Sequence, residues 1–159
     1  MWQIIAAGIV ALSATWFGAW LSRRQTAAFN AQQAAEDARR HNREVVAAAR
    51  LVWFELGAAA FSIEAAESTM NLVSLRGVPR TAWATHGALL AADLPPDVFA
   101  PLAEVMARLA AITGMIVGAE ITATAIADHD EARRVLGVLR EACRAAQETL
   151  AEWINAQAP

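Results

Sequence analysis

The chain has 159 residues, is 57% hydrophobic and carries a formal net charge of −3. That length holds one domain plus a connector, and the negative balance gives no reason to expect nucleic acid as a partner. About a quarter of the residues are Ala, the best helix former, and few Val, Ile or Thr residues alternate with period two. Tyr and Lys are absent and all thirteen basic residues are Arg, a bias of GC-rich coding. One cysteine, Cys143, excludes an internal disulfide framework and a multi-cysteine metal site. It reads as a small buried hydrophobe in a reducing compartment.

Trp2 to Leu21, WQIIAAGIVALSATWFGAWL, contains no charged residue. It is long enough to cross the hydrocarbon core as a helix. Trp2 stands at one end and Trp16 and Trp20 at the other, where indole rings favour the interface. Arg23 and Arg24 follow at once, and no basic side chain precedes the run. A cleaved signal would have the opposite polarity. The expectation is therefore an uncleaved single-pass anchor over 1–21 in a bacterial inner membrane, with the N-terminus outside and the rest cytoplasmic. Membrane lipids are the first implied partner.

Residues 22–44 are polar, alanine-rich and free of Pro and Gly, which predicts that the membrane helix continues as a helical stalk. Six Arg face three acids in residues 22–50, and seven Arg face thirteen acids in residues 51–159. The stalk is basic and the distal body acidic. Of the basic residues, Arg23 and Arg24 are close enough to feel an anionic leaflet.

Residues 45–159 are expected to form a cytoplasmic domain. From Val45, a stripe of Ala49, Val52, Trp53, Leu56, Ala60 and Ile63 recurs at helical spacing and extends to Met70 and Val73. Glu55, Glu64 and Glu67 lie off it. The glycine and proline of Arg76-Gly77-Val78-Pro79 should stop this helix. A short helix, Thr81 to Ala92, carries Trp83, Leu89 and Leu90 on its apolar side, and Leu94-Pro95-Pro96-Asp97 breaks it. The third helix, 97–126, shows the clearest stripe: Val98, Phe99, Leu102, Val105, Met106, Leu109, Ile112, Ile116, Val117 and Ile121. Asp128 and Glu131 form a capping box for the fourth, 129–156. Its stripe is Val135, Leu136, Leu139, Ala142, Cys143, Ala146, Leu150, Trp153 and Ile154, with Arg140, Arg144 and Gln147 toward water. The expected fold is all-α, an antiparallel bundle of three long helices and one short one behind a membrane helix and stalk. Leu109 to Ala127 has one charge, Glu120, and is a candidate second span. The cost of an acid at mid-membrane and its continuity with the stripe from Val98 favour a bundle helix.

The block RTAWATHGALLAADLPPDVFAPLAEVMARL resembles small membrane-anchored helical proteins of GC-rich bacteria that carry no assigned activity. The resemblance covers residues 47–110 and implies a fold but no function.

No constellation for catalysis emerges. The run Asp128-His129-Asp130-Glu131 is explained by capping, because adjacent helical residues diverge by about 100° and cannot converge on a metal as ligands at i and i+4 do. His41 reads as solvated and His86 as partly buried. A buried carboxylate at Glu120 is a weak candidate, and a carboxylate-bridged metal centre lacks its Glu-x-x-His motif. No nucleophile elbow, phosphate loop or dinucleotide fingerprint occurs. Gly114 and Gly118 match the small-xxx-small pattern of closely packed helices. The expected function is a non-enzymatic scaffold or adaptor, without catalytic, cofactor or metal residues, that binds protein or a second copy of itself. Two alternatives are a bundle sensor for a small apolar ligand and a membrane-perturbing effector of phage lysis or defence.

Overall fold

The computed structural model describes the backbone of residues 2–118 and 129–157, and the side chains of residues 20, 22–116 and 130–157. Among these residues the chain is all-helical. Helix α1 is Trp2–Thr69, a 3-10 helix spans Leu72–Gly77, and α2, α3 and α4 are Thr81–Asp93, Pro96–Gly118 and His129–Ala156. The chain divides into two compact units, residues 1–43 and 44–159, and α1 contributes to both.

In the first unit every residue from Ser22 to Arg43 is helical and exposed. This is the outcome expected of a polar, alanine-rich run without Pro or Gly. Local bonds within the helix, such as Thr26 Oγ1 to the Ser22 carbonyl at 2.9 Å, occupy its side chains.

The second unit owns the hydrophobic core. Val45, Ala48, Ala49, Val52, Leu56, Ala59, Ala60, Ile63 and Ala66 of α1 are buried in it. They meet Leu75 and Val78, Leu90 and Leu94, the α3 row from Val98 to Ile116, and the α4 row from Leu136 to Ile154. Helix α3 packs against α4, the 3-10 helix and α2. Between α1 and α4 the polar contacts run in a consistent order. Arg140 bonds Glu67 at 2.5 Å and Arg144 bonds Glu64 at 3.0 Å. Gln147 Nε2 donates to the Trp53 carbonyl at 3.3 Å. Gln147 lies over Gly57, where an added Cβ would come within 2.8 Å of its amide nitrogen. The glycine lets this amide come down onto the α1 surface.

Helix α1 ends earlier than its stripe suggests. Met70 takes a positive φ of 50°, and the hydroxyls of Ser68 and Thr69 bond back to the Ala65 carbonyl. Asn71 then caps the 3-10 helix, its side-chain oxygen accepting from the Val73 amide at 3.0 Å. Asn is the cap signal here, because its short side chain bonds its own backbone two residues on. Val73 is consequently exposed instead of continuing the stripe. Arg76 reaches α3 and donates to the Ile116 carbonyl at 3.3 Å.

The α3 and α4 stripes are core-forming, with one exception. Leu102, Val105, Met106, Leu109 and Ile116 are buried, as are Leu136, Leu139, Cys143, Ala146, Leu150 and Ile154. Val135 faces outward, one step of about 100° from Leu136. Val117, Glu120, Ile121 and Asp128 lie outside the described residues or side chains, and so does most of the distal half of the 109–127 candidate span. The His129 side chain is also outside them.

Candidate interaction surfaces

Trp20 and Arg24 stand one helical turn apart, and the Arg24 guanidinium lies 4.5 Å from the Trp20 ring centroid. Such a cation–π pair is worth about 0.5–1 kcal/mol when exposed. Arg23 is exposed beside it. The side chains of Trp2 and Trp16 are outside the described set, so the described part of the collar is Trp20, Arg23 and Arg24.

By length and composition, two described stretches are apolar enough to cross a membrane. They lie within Ser22–Thr69 and Pro96–Ile116. Both contribute residues to the core of the second unit, which gives their apolar side chains a protein environment.

Glu55 departs from expectation. It is only 8% exposed, and its two carboxylate oxygens accept from the amides of Ala82 at 2.7 Å and Trp83 at 2.9 Å. These are orphan donors in the first turn of α2, whose own N-cap, Arg80, makes no side-chain cap bond. A carboxylate from α1 therefore caps α2 across the core and favours the positive end of its dipole. The sequence offered one clue, an α2 start with no Ser, Thr, Asp or Asn at the cap position. Glu64 and Glu67, placed off the stripe, are the α1 anchors for Arg144 and Arg140. Arg140 is only a quarter exposed, against the expectation that it faces water.

Cys143 is fully buried, and burial pushes its thiol up to about 11. The thiolate is the reactive form, so this cysteine is inert at neutral pH. His86 is half-buried and His41 exposed. Among the described residues no group of three or more His, Cys, Asp or Glu is arranged to hold a metal ion.

The expected close approach at Gly114 is not present among the described residues. Gly114 is exposed, and an added Cβ would meet nothing within 4 Å. It sits two residues from buried Ile116, about 200° around the helix, on the side away from the core. Side-chain surroundings at Gly118 lie outside the described residues. Thr113, one position before Gly114, is buried and donates its hydroxyl to the Leu109 carbonyl at 2.8 Å.

Among the described residues the two most exposed large apolar side chains, Phe61 and Phe54, lie on α1. Leu51, Phe54 and Phe61 are 49%, 65% and 74% exposed. With Ala47, Ala58 and Ala65 they form a line with alternating spacings of four and three, the heptad pattern of a helix that meets another helix. This line runs on the side of α1 away from Val52, Leu56 and Ile63. A second feature is a groove of about 310 Å³ between α3 and α4, lined by Ile112, Val135, Val138 and Leu139. Arg108 and Arg134 stand at its rim and pair with Glu104 and Glu131.

No protein-family model, curated protein or solved structure matches this chain.

Proposed function

We propose that this chain is a non-enzymatic, membrane-anchored helical adaptor that holds a protein at the cytoplasmic face of a bacterial inner membrane. Its second unit acts as an antiparallel bundle of three long helices and one short one, and the uncharged run Trp2 to Leu21 is the anchor. The order of contacts along α1 and α4 supports the bundle. The uncharged run and the collar of Trp20, Arg23 and Arg24 support the anchor and its orientation. The observation that carries the adaptor role is the exposed line of Leu51, Phe54 and Phe61. Exposed apolar patches of this kind mark interaction sites, and large aromatic side chains dominate the energetics of protein contacts.

The test places a photo-crosslinking amino acid at Phe61, and as a control at exposed Glu148, in the full chain in its native membrane. Protein adducts at Phe61 and not at Glu148 are expected. Equal labelling at both sites, or adducts with lipid alone, would overturn the adaptor reading. A C-terminal reporter active only in the cytoplasm checks the orientation.

A further inference from the structure

We propose that the groove between α2 and α3 binds a fatty acid, with its carboxylate on Arg80 and its single acyl chain along Trp83 and the alanines of α3. The site uses none of the residues of the exposed α1 line, so the inference does not depend on the adaptor role.

The shape of the groove is the first argument. Its volume is about 460 Å³. On the α2 side it is lined by Arg80, Trp83 and Ala84, which share one face because residues three and four apart are neighbours on a helix. On the α3 side Ala103, Met106 and Ala107 line it at the same spacing. The alanines end at Cβ, and that is what leaves the room, since longer side chains there would fill the space between the helices. Met106 is buried and forms the floor. Trp83 is a fixed wall. Its ring lies against Gly87, where an added Cβ would sit 3.4 Å from it, and its other contact is a stack on Phe99 with centroids 5.8 Å apart. Sites for small ligands have this make-up, a mostly apolar lining with few polar groups and a volume of about 300–1,000 Å³. The groove falls in the lower part of that range, which suits one acyl chain and not the two of a phospholipid.

Charge is the second argument. Among the described residues two arginines are half-buried, Arg80 and Arg140. Arg140 bonds Glu67 and Glu141. The Arg80 guanidinium has no hydrogen-bond or ion-pair partner among the described residues. Glu55, which caps the same turn of α2, has both oxygens committed to the Ala82 and Trp83 amides. A guanidinium withdrawn from water without an acceptor is unfavourable, and a carboxylate offsets this through two parallel N–H···O bonds. One unmatched cation beside an apolar groove calls for one negative charge on an apolar body, and a fatty acid is that molecule. A neutral amphiphile of the same length fills the groove and leaves Arg80 unmatched.

The experiment uses the full chain in lipid nanodiscs of zwitterionic phosphatidylcholine. The probe is palmitic acid with a diazirine at mid-chain, and the comparison is the corresponding palmityl alcohol. Photo-adducts are mapped by mass spectrometry, and half-saturation is read from competition with the unlabelled compound. Saturable adducts on α2 and α3 are expected, tighter for the acid than for the alcohol. Arg80→Gln should weaken the acid roughly tenfold and leave the alcohol unchanged, because it removes a charged hydrogen bond and no apolar contact. Ala107→Phe should abolish both. Ala107 is exposed, so this change fills the groove without entering the core, and circular dichroism checks that both variants fold. Adducts that do not saturate, an Arg80→Gln effect equal for acid and alcohol, or binding that survives Ala107→Phe overturns the site. Displacement of the acid probe by phosphatidylglycerol added to the discs, with no displacement by palmitate, overturns the single-chain ligand.

Discussion

Glu55 carries the most consequential single side-chain contact in the second unit. Its two oxygens satisfy two backbone donors at the start of α2, and at 8% exposure the site is largely shielded from solvent. Glu55→Gln turns one acceptor into a donor aimed at an amide N–H. Leaving a buried donor unsatisfied costs about 1–3 kcal/mol, and that loss is expected in chemical unfolding of the full chain followed by circular dichroism. Arg80→Asp, which supplies a local cap, should recover part of it. Rescue at residue 80 would separate lost capping from lost packing. Cys143 gives a second residue-scale prediction, because the chain lacks Tyr and Lys. Above the N-terminal amine and below Arg, the thiol is the side chain left to titrate. Its folded value is raised to about 11 from 9.0. Between these values the unfolded chain releases a proton that the folded chain keeps, so the unfolded state binds fewer protons and stability falls as pH rises. Stability should be level below pH 9 and decline through pH 11. The Cys143→Ala variant should show no such decline, whatever its absolute stability.

At the scale of elements, apolar periodicity separates core from surface on α3 and α4 but only half describes α1. Leu136 and Leu102 are both at least 96% buried. Truncating either to Ala should cost about 2–5 kcal/mol. Phe61→Ser on the exposed line should change the stability of the monomer by no more than about 0.5 kcal/mol, while reducing association. Denaturation midpoints of the three variants test the assignment, and equal losses would contradict it. The α3 and α4 stripes were legible because each helix has one apolar face and charges opposite. Helix α1 has two apolar faces between residues 45 and 66. Reading the buried line of Val52, Leu56 and Ile63 hid the exposed line of Leu51, Phe54 and Phe61 on the far side of the same helix. Two other features were out of reach for a different reason. The Glu55 cap joins residues 27 and 28 positions apart, and no local pattern announces such a pairing. The end of α1 at Thr69 depends on the left-handed turn at Met70, a conformation Met rarely adopts. Gly114 shows the converse: a motif defined by spacing alone carried no information about which face of α3 packs.

For the molecule as a whole, the question is which apolar helix meets lipid. The Trp2 to Leu21 run has no charge, whereas the candidate stretch in Pro96–Ile116 includes an Arg108–Glu104 pair on its surface. A helix in hydrocarbon would have to desolvate that pair, at several kcal/mol per ion before any return from their attraction. The same helix uses Leu102, Val105, Met106, Leu109 and Ile116 to line the core. A membrane span would lose those contacts with α4, the 3-10 helix and α2 and gain nothing from replacing them with lipid tails of equal polarity. The bond from Arg76 to the Ile116 carbonyl adds a guanidinium near the end of the stretch. We therefore expect α3 to remain in water. Met115 is 62% exposed and makes a sensitive probe. In a Cys143→Ala background, Met115→Cys in inverted membrane vesicles should react with a charged, membrane-impermeant maleimide before any detergent is added. A cysteine at Ile9, within the uncharged run, should react only after solubilisation. If the two sites exchange behaviour, α3 is the span and the N-terminal run is not. If both need detergent, the chain crosses twice and its C-terminus returns to the outer side.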